Sequence, residues 1–168
     1  MSPAPVGPAS LRPLEARDEA RVRGWLEAHL SQHRAWWAAG YGQEGVAPMA
    51  ELLEREWHDL EEASQSPQRT VAVLEQDGQA TGIVLAGTRA DRTMGIQIGV
   101  LQWIFVAPEG RGRGHADALM THALAWMDAR GVAGREVFVT ALNAAAVSLY
   151  RRHGFEVGDY RMLARVNP

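Results

Sequence analysis

The chain has 168 residues, 46% of them apolar and 22% charged, with a formal charge of −3, as expected of an ordinary globular domain able to bury a core. So weak a charge gives no drive toward nucleic acid or an anionic membrane, and no apolar run is long enough to cross a bilayer. Cysteine is absent, which excludes disulfides, thiolate metal sites and cysteine nucleophiles, and all 17 basic residues are arginine, read here as compositional bias.

Residues 1–10, MSPAPVGPAS, read as a disordered leader, and 11–168 as a single domain of a soluble, cytoplasmic protein. Leu11–Leu14 is a candidate first strand. Asp18 reads as the N-cap of a helix to about Ser31, with Val22, Trp25, Leu26, His29 and Leu30 on one face. Trp36 to Gly45 mixes aromatic residues with glycines and reads as irregular. A second helix is expected from near Pro48 to Ala63, with Met49, Leu52, Leu53, Trp57 and Leu60 as its stripe.

Thr70–Glu75 and Gln79–Thr88 are strand-like runs joined by Asp77-Gly78, a hairpin signal. Met94–Val106 is a strand long enough to expect a bulge or bend within it. After a glycine-rich turn, Ala116, Leu119, Met120, Ala123, Leu124 and Met127 recur at helical spacing up to Arg130-Gly131. Glu136–Thr140 reads as a short strand. Asn143 can cap a last helix through Arg152 or His153, and Phe155–Val166 reads as a closing strand or strand pair. The unit from 94 to 140 implies a right-handed crossover between parallel neighbours.

The turn Val106-Ala-Pro-Glu-Gly-Arg-Gly-Arg-Gly-His-Ala116 stands between a strand and a helix start, the arrangement of an anion cradle. A Walker-type loop needs a lysine, and the chain has none. A dinucleotide fingerprint needs a third glycine where Asp117 or His115 stands. Arg111-x-x-Gly114-x-Ala116, by contrast, resembles the coenzyme A-binding signature of the GNAT superfamily of N-acetyltransferases. Asn143-x-x-Ala146-x-x-Leu149-Tyr150-x-x-x-Gly154-Phe155 resembles that family's second hallmark, at the spacing the family shows.

The resemblance implies an α/β (α+β) fold: a central mixed, mostly antiparallel twisted sheet of about six to seven strands with four helices. It implies acetyl-CoA as cosubstrate and no metal, with the pyrophosphate on Arg111, Gly112, Arg113, Gly114, His115 and Ala116. The pantetheine arm would lie along Ile104, Phe105 and Val106 and bond to Asn143, with Tyr150 as general acid for the leaving thiolate. A phenol and a thiol have reference pKa values of roughly 10 and 8.5, close enough for that transfer. The acceptor would be a primary amine of a small molecule or peptide; alternatives are a protein lysine or N-terminus, or a non-catalytic acyl-CoA sensor. A homodimer is compatible with the family.

One departure stands out. Many relatives carry a glutamate on the strand before the turn, whereas here Gln97 and Gln102 are its polar positions. Glu44, Glu51, His29 and His33 are the candidate bases. The acceptor region implied by the family holds Trp25, His29, His33, Trp36, Trp37, Tyr41 and Glu44.

Overall fold

The structure, a computed structural model, describes residues 7–42 and 46–165; Glu44, the first part of the expected leader and Val166 lie outside them. Among the described residues five strands form one sheet in chain order: β1 (Ser10–Pro13), β2 (Arg69–Gln76), β3 (Gln79–Asp91), β4 (Ile96–Val106) and β5 (Gly134–Val137). The first four run antiparallel and β5 pairs with β4 in parallel. The β2–β3 hairpin forms as expected. Asp77 (φ 52°) and Gly78 (φ 77°) both take the left-handed conformation that suits a two-residue turn between twisted strands.

Four helices cover the sheet: α1 (Glu19–Tyr41), α2 (Met49–Gln65), α3 (His115–Asp128) and α4 (Ala144–Arg152). Strand alternation builds two cores. Val71, Val73, Ile83 and Leu85 face Val22, Trp25, Leu26, Trp57 and Leu60 of α1 and α2. Ala72, Leu74, Val84 and Ala86 face Leu119, Met120, Ala123 and Met127 of α3 and Leu149 of α4. Leu60, Ile83, Leu119, Met120 and Met127 are fully buried, each contributing about 1.5–3 kcal/mol of apolar transfer.

The expected bulge in β4 sits at Gln102. Leu85 pairs with Trp103 and Ala86 with Leu101, so Gln102 is the extra residue. In a regular strand Leu101 and Trp103, two residues apart, would share a face; the bulge puts Leu101 on the α3 side and Trp103 on the α1 side. A second bulge lies at Thr81, between the Leu74–Gly82 and Glu75–Ala80 pairs. Its buried hydroxyl donates to the Leu74 carbonyl (3.2 Å), and its carbonyl accepts from Ala107 N (2.9 Å).

Several boundaries differ from the sequence reading. The first helix does not stop near Ser31 but continues through Trp36 and Trp37 to Tyr41, so much of the expected irregular segment is helical. Ala35, Ala38 and Ala39 are strong helix formers. Gly40 is held by close packing: a Cβ there would stand 2.7 Å from Leu163 Cβ. Gly42 (φ 76°) ends the helix, its N–H bonding the Ala38 carbonyl at 2.9 Å.

The sheet has five strands among the described residues rather than six to seven, because 155–165 form no strand. β5 also lies earlier than Glu136–Thr140, at Gly134–Val137. The tail instead lies on the end of α1, with Leu163 against Gly40 and Arg165 donating to the Ala38 carbonyl (3.2 Å).

Asp18 does not cap α1 with its side chain. It is buried, accepting from the Glu15 N–H (2.9 Å) and from both ends of the Arg12 guanidinium (2.6 and 2.8 Å), while Arg12 also donates to Glu75 of β2 (2.6 Å). Burial pushes the Asp18 carboxyl up. The Arg12 hydrogen bonds and the Glu15 N–H outweigh it and hold the carboxyl below its ordinary range.

Asp18→Ala should therefore cost about 1.5–3 kcal/mol at pH 7, because Arg12 loses two charged hydrogen bonds but keeps Glu75. Because the folded pKa is depressed, the wild-type contribution is complete above roughly pH 4 and is lost as pH falls through the folded value. Urea midpoints of both proteins at pH 7 and pH 3 should show the gap narrowing at the lower pH.

Candidate functional site

The bulge decides where β4 and β5 part. Their pairing covers Ile98–Leu101 against Gly134–Val137 and ends there, so Trp103 to Val106 has β3 on one side and an open edge on the other. Ile104 and Val106 face α3, and Phe105 faces α1; all three are half-buried. Beyond Val137, Phe138 and Leu142 are strongly exposed on the far side of the gap.

The open edge runs directly into the glycine turn. Ala107 to Gly110 form a single 3-10 turn, then Gly112 (φ 72°) and Gly114 (φ 77°) adopt left-handed conformations and α3 begins at His115. The N–H groups from Gly112 to Asp117 bond no carbonyl or side chain among the described residues, so the helix start presents a run of free donors. Gly110 has a different role: a Cβ there would lie 2.7 Å from the His115 ring. That ring is buried, with Nδ1 unpaired among the described residues.

Charge around the turn is arranged to favour an anion. Arg111 folds back toward the Val106 carbonyl (3.4 Å), and Arg113 reaches Gln76 (3.3 Å); both are exposed. Asp117, an acid in the first turn of α3, would oppose an anion there. It is offset by Arg152 (3.2 Å) and His153 Nε2 (2.9 Å), and its carboxyl is held below the ordinary range, first by His153 and then by Arg152. This clamp joins the start of α3 to the end of α4. Its one signal in the sequence is an acid in the first turn of the helix that follows the glycine turn.

Asn143 caps α4, its Oδ1 accepting from Ala146 N (3.2 Å) while its own N–H bonds the Thr140 carbonyl (2.8 Å). The cap orients the helix so that Leu149 and Tyr150 face the α3 core. Tyr150 is 8% exposed and packs edge-on to Phe155 at 6.1 Å. Burial alone pushes its phenol up to about 12. Outside α4 an open shelf of about 570 Å³ is lined by Ala141, Ala144, Val147, Ser148, Arg151 and Arg152.

On the other face of β4 lies a continuous set of rings. Phe105 stacks on Trp25 (5.5 Å), Trp103 approaches Phe105 (6.1 Å), and His29 meets Trp103 edge-on (5.8 Å). His33 lies 4.1 Å from His29, donates from Nδ1 to the His29 carbonyl (2.9 Å), and touches Trp36 and Trp37. Burial, then the proximity of His33, lowers the His29 pKa to about 4, so this imidazole is neutral at physiological pH. A conjugate acid so strong makes His29 a weak base. Glu51 is exposed on α2, and among the described residues no group of three or more metal-binding side chains is gathered.

His29 should also shape the acid limb of stability. Its folded pKa lies below the unfolded value of roughly 6.5. The stabilisation is thus whole above that pH and falls away as pH drops to about 4. His29→Gln should flatten the dependence of the urea midpoint between pH 7 and 4.5 while leaving the steeper loss below pH 4 in place.

The fold is shared with known proteins. The model of the Acetyltransferase (GNAT) family matches residues 30–155. Mycothiol acetyltransferase of Renibacterium salmoninarum is 26% identical over 131 residues, covering 70% of this chain and 33% of that protein, so the chain spans about a third of that relative's length. Among solved structures, the aminoglycoside N-acetyltransferase AAC(6')-Iy in complex with CoA superposes with a TM-score of 0.67 at 22% identity, covering 100% of both chains. The ribosomal-protein-alanine N-acetyltransferase of Brucella melitensis biovar Abortus has a TM-score of 0.63 at 17% identity, covering 95% of this chain and 100% of that one. With its family model matched across both motifs, the chain belongs to the acetyltransferase (GNAT) family.

Proposed function

We propose that the chain is an acetyl-CoA-dependent N-acetyltransferase acting on a primary amine of a small molecule. One observation carries this reading: the β4–β5 pairing ends at Leu101 and leaves Trp103–Val106 as an unpaired edge leading into free amides at Gly112–Asp117. An extended amide-containing arm can bond that edge as a strand would, while its pyrophosphate meets the helix start. The chemistry of the residues suits CoA. The glycines keep side chains out of the cradle, Arg111 and Arg113 supply positive charge, and Asp117 is already neutralised. Asn143 keeps its amide N–H groups for the arm, because the cap uses Oδ1.

In the reaction the neutral amine nitrogen attacks the thioester carbonyl, the cationic nitrogen of the tetrahedral adduct gives up a proton to water, the carbon–sulfur bond breaks, and the thiolate takes up a proton from water in exchange. Tyr150 is the group assigned to the sulfur. With its phenol at about 12 and a free thiol near roughly 8.5, complete transfer to the thiolate is uphill. Tyr150 therefore acts chiefly by donating a hydrogen bond to the developing thiolate, a role that burial strengthens. Its raised pKa also keeps it protonated across the working range. No carboxylate on β4 serves as base and His29 is a weak one, so the amine is used in its neutral form.

A small amine is favoured over a protein substrate by the half-buried rings of Phe105, His29 and His33, backed by the buried ring of Trp103, beside the open edge. The mycothiol and aminoglycoside acetyltransferases among the similar proteins are named for small-molecule acceptors.

Thiol release from acetyl-CoA should be accelerated by at least one amine of a panel, and Tyr150→Phe should lower kcat about 10²–10³-fold with CoA affinity little changed. Wild-type kcat should show no alkaline fall from Tyr150 below about pH 11, given its pKa of about 12. Tight CoA binding with no amine-dependent thiol release would identify a sensor instead.

A further inference from the structure

The last turns of α1 carry Trp37 and Tyr41, four residues apart and so on one face of the helix. The guanidinium of Arg161 lies over both rings, 5.2 Å from the Trp37 centroid and 5.6 Å from that of Tyr41, and donates to the Tyr41 hydroxyl. Both distances lie within cation–π range. Arg161 is exposed and Tyr41 is 51% exposed, so the stack stands open to solvent.

Two features suggest more than a structural bracket. The tail is attached independently of Arg161, through Leu163 on Gly40 and Arg165 on the Ala38 carbonyl. Removing the guanidinium from the rings leaves those contacts in place. Second, the stack is joined to the open strand edge by touching rings. Trp37 meets His33 (5.3 Å), His33 meets His29 (4.1 Å), and His29 meets Trp103 (5.8 Å), the residue just after the bulge. From His29 to Trp37 the helix rises about 12 Å.

We propose that Trp37 and Tyr41 form a binding face for a second, protonated amino group of the acceptor, and that Arg161 occupies this face in the free enzyme. The inference rests on the acetyltransfer reading and narrows it to amines with another cation on the order of 10 Å from the reacting nitrogen, a distance set by the helix rise. Such a molecule exchanges one cation for another on the same rings. A monoamine gains nothing there, so Arg161 sets how strongly polyamines are preferred.

The test compares spermidine with n-butylamine as acceptors, using thiol release by the full chain. Arg161→Ala should raise the ratio of kcat/KM for spermidine over n-butylamine about two- to fivefold, and Trp37→Ala should lower it by a similar factor. An unchanged or lowered ratio in Arg161→Ala overturns the proposal. A second measurement needs no turnover. Tetramethylammonium should perturb the tryptophan fluorescence of Arg161→Ala and not of the Arg161→Ala/Trp37→Ala double variant; equal responses overturn the cation face. If no amine releases thiol, the acetyltransfer reading fails by itself, and the fluorescence titration still decides whether the face binds a cation.

Discussion

One extra residue in β4 governs the rest of the molecule. Gln102 has no partner on β3, and its insertion turns the strand so that Leu101 serves one core and Trp103 the other. A strand that twists away at that point cannot keep its parallel neighbour, and the β4–β5 ladder ends at Leu101 and Val137. The open edge, the ring-lined face toward α1 and the approach to the glycine turn all follow from that break. The sheet gives up ladder bonds where an extended ligand would replace them.

Around this break the charged groups are paired so as to leave the cradle positive. The Asp117 carboxylate would weaken an anion site at the start of α3, and Arg152 and His153 from α4 offset it. One interaction thus fixes the docking of α4, and with it the position of Tyr150, and also removes a repulsive charge. On the opposite side the Arg12–Asp18–Glu75 group ties β1 and the start of α1 to β2.

The buried tyrosine and the buried histidine show how the same physics assigns opposite duties. Desolvation keeps Tyr150 protonated and His29 unprotonated at neutral pH, so both are uncharged. A neutral donor beside a leaving sulfur is useful. A neutral imidazole with a low pKa is a poor base but an inoffensive neighbour for a cationic acceptor. The missing carboxylate on β4 is consistent with a site that selects the neutral amine rather than making it.

Much of the site was legible in the sequence because its signals are local. Gly112 and Gly114 are needed wherever a turn requires positive φ, Asn143 is a cap by its side-chain chemistry, and Asp77-Gly78 determines a hairpin by backbone preference alone. The strand-like runs of β2, β3 and β4 and the period of α3 likewise identified strands and helix before any contact was known. What tertiary structure decided were the features that depend on a partner far along the chain. Gly40 breaks a helix in isolation, yet α1 passes through it because Leu163 packs there. Phe155 to Arg165 has strand-like composition but forms no strand, and its later residues pack on the end of α1. Asp18 looks like a cap, yet Arg12 draws its carboxylate inward. The bulge was expected in β4 from length alone, but only pairing with β3 could place it at Gln102, because register is a property of two strands and not of one.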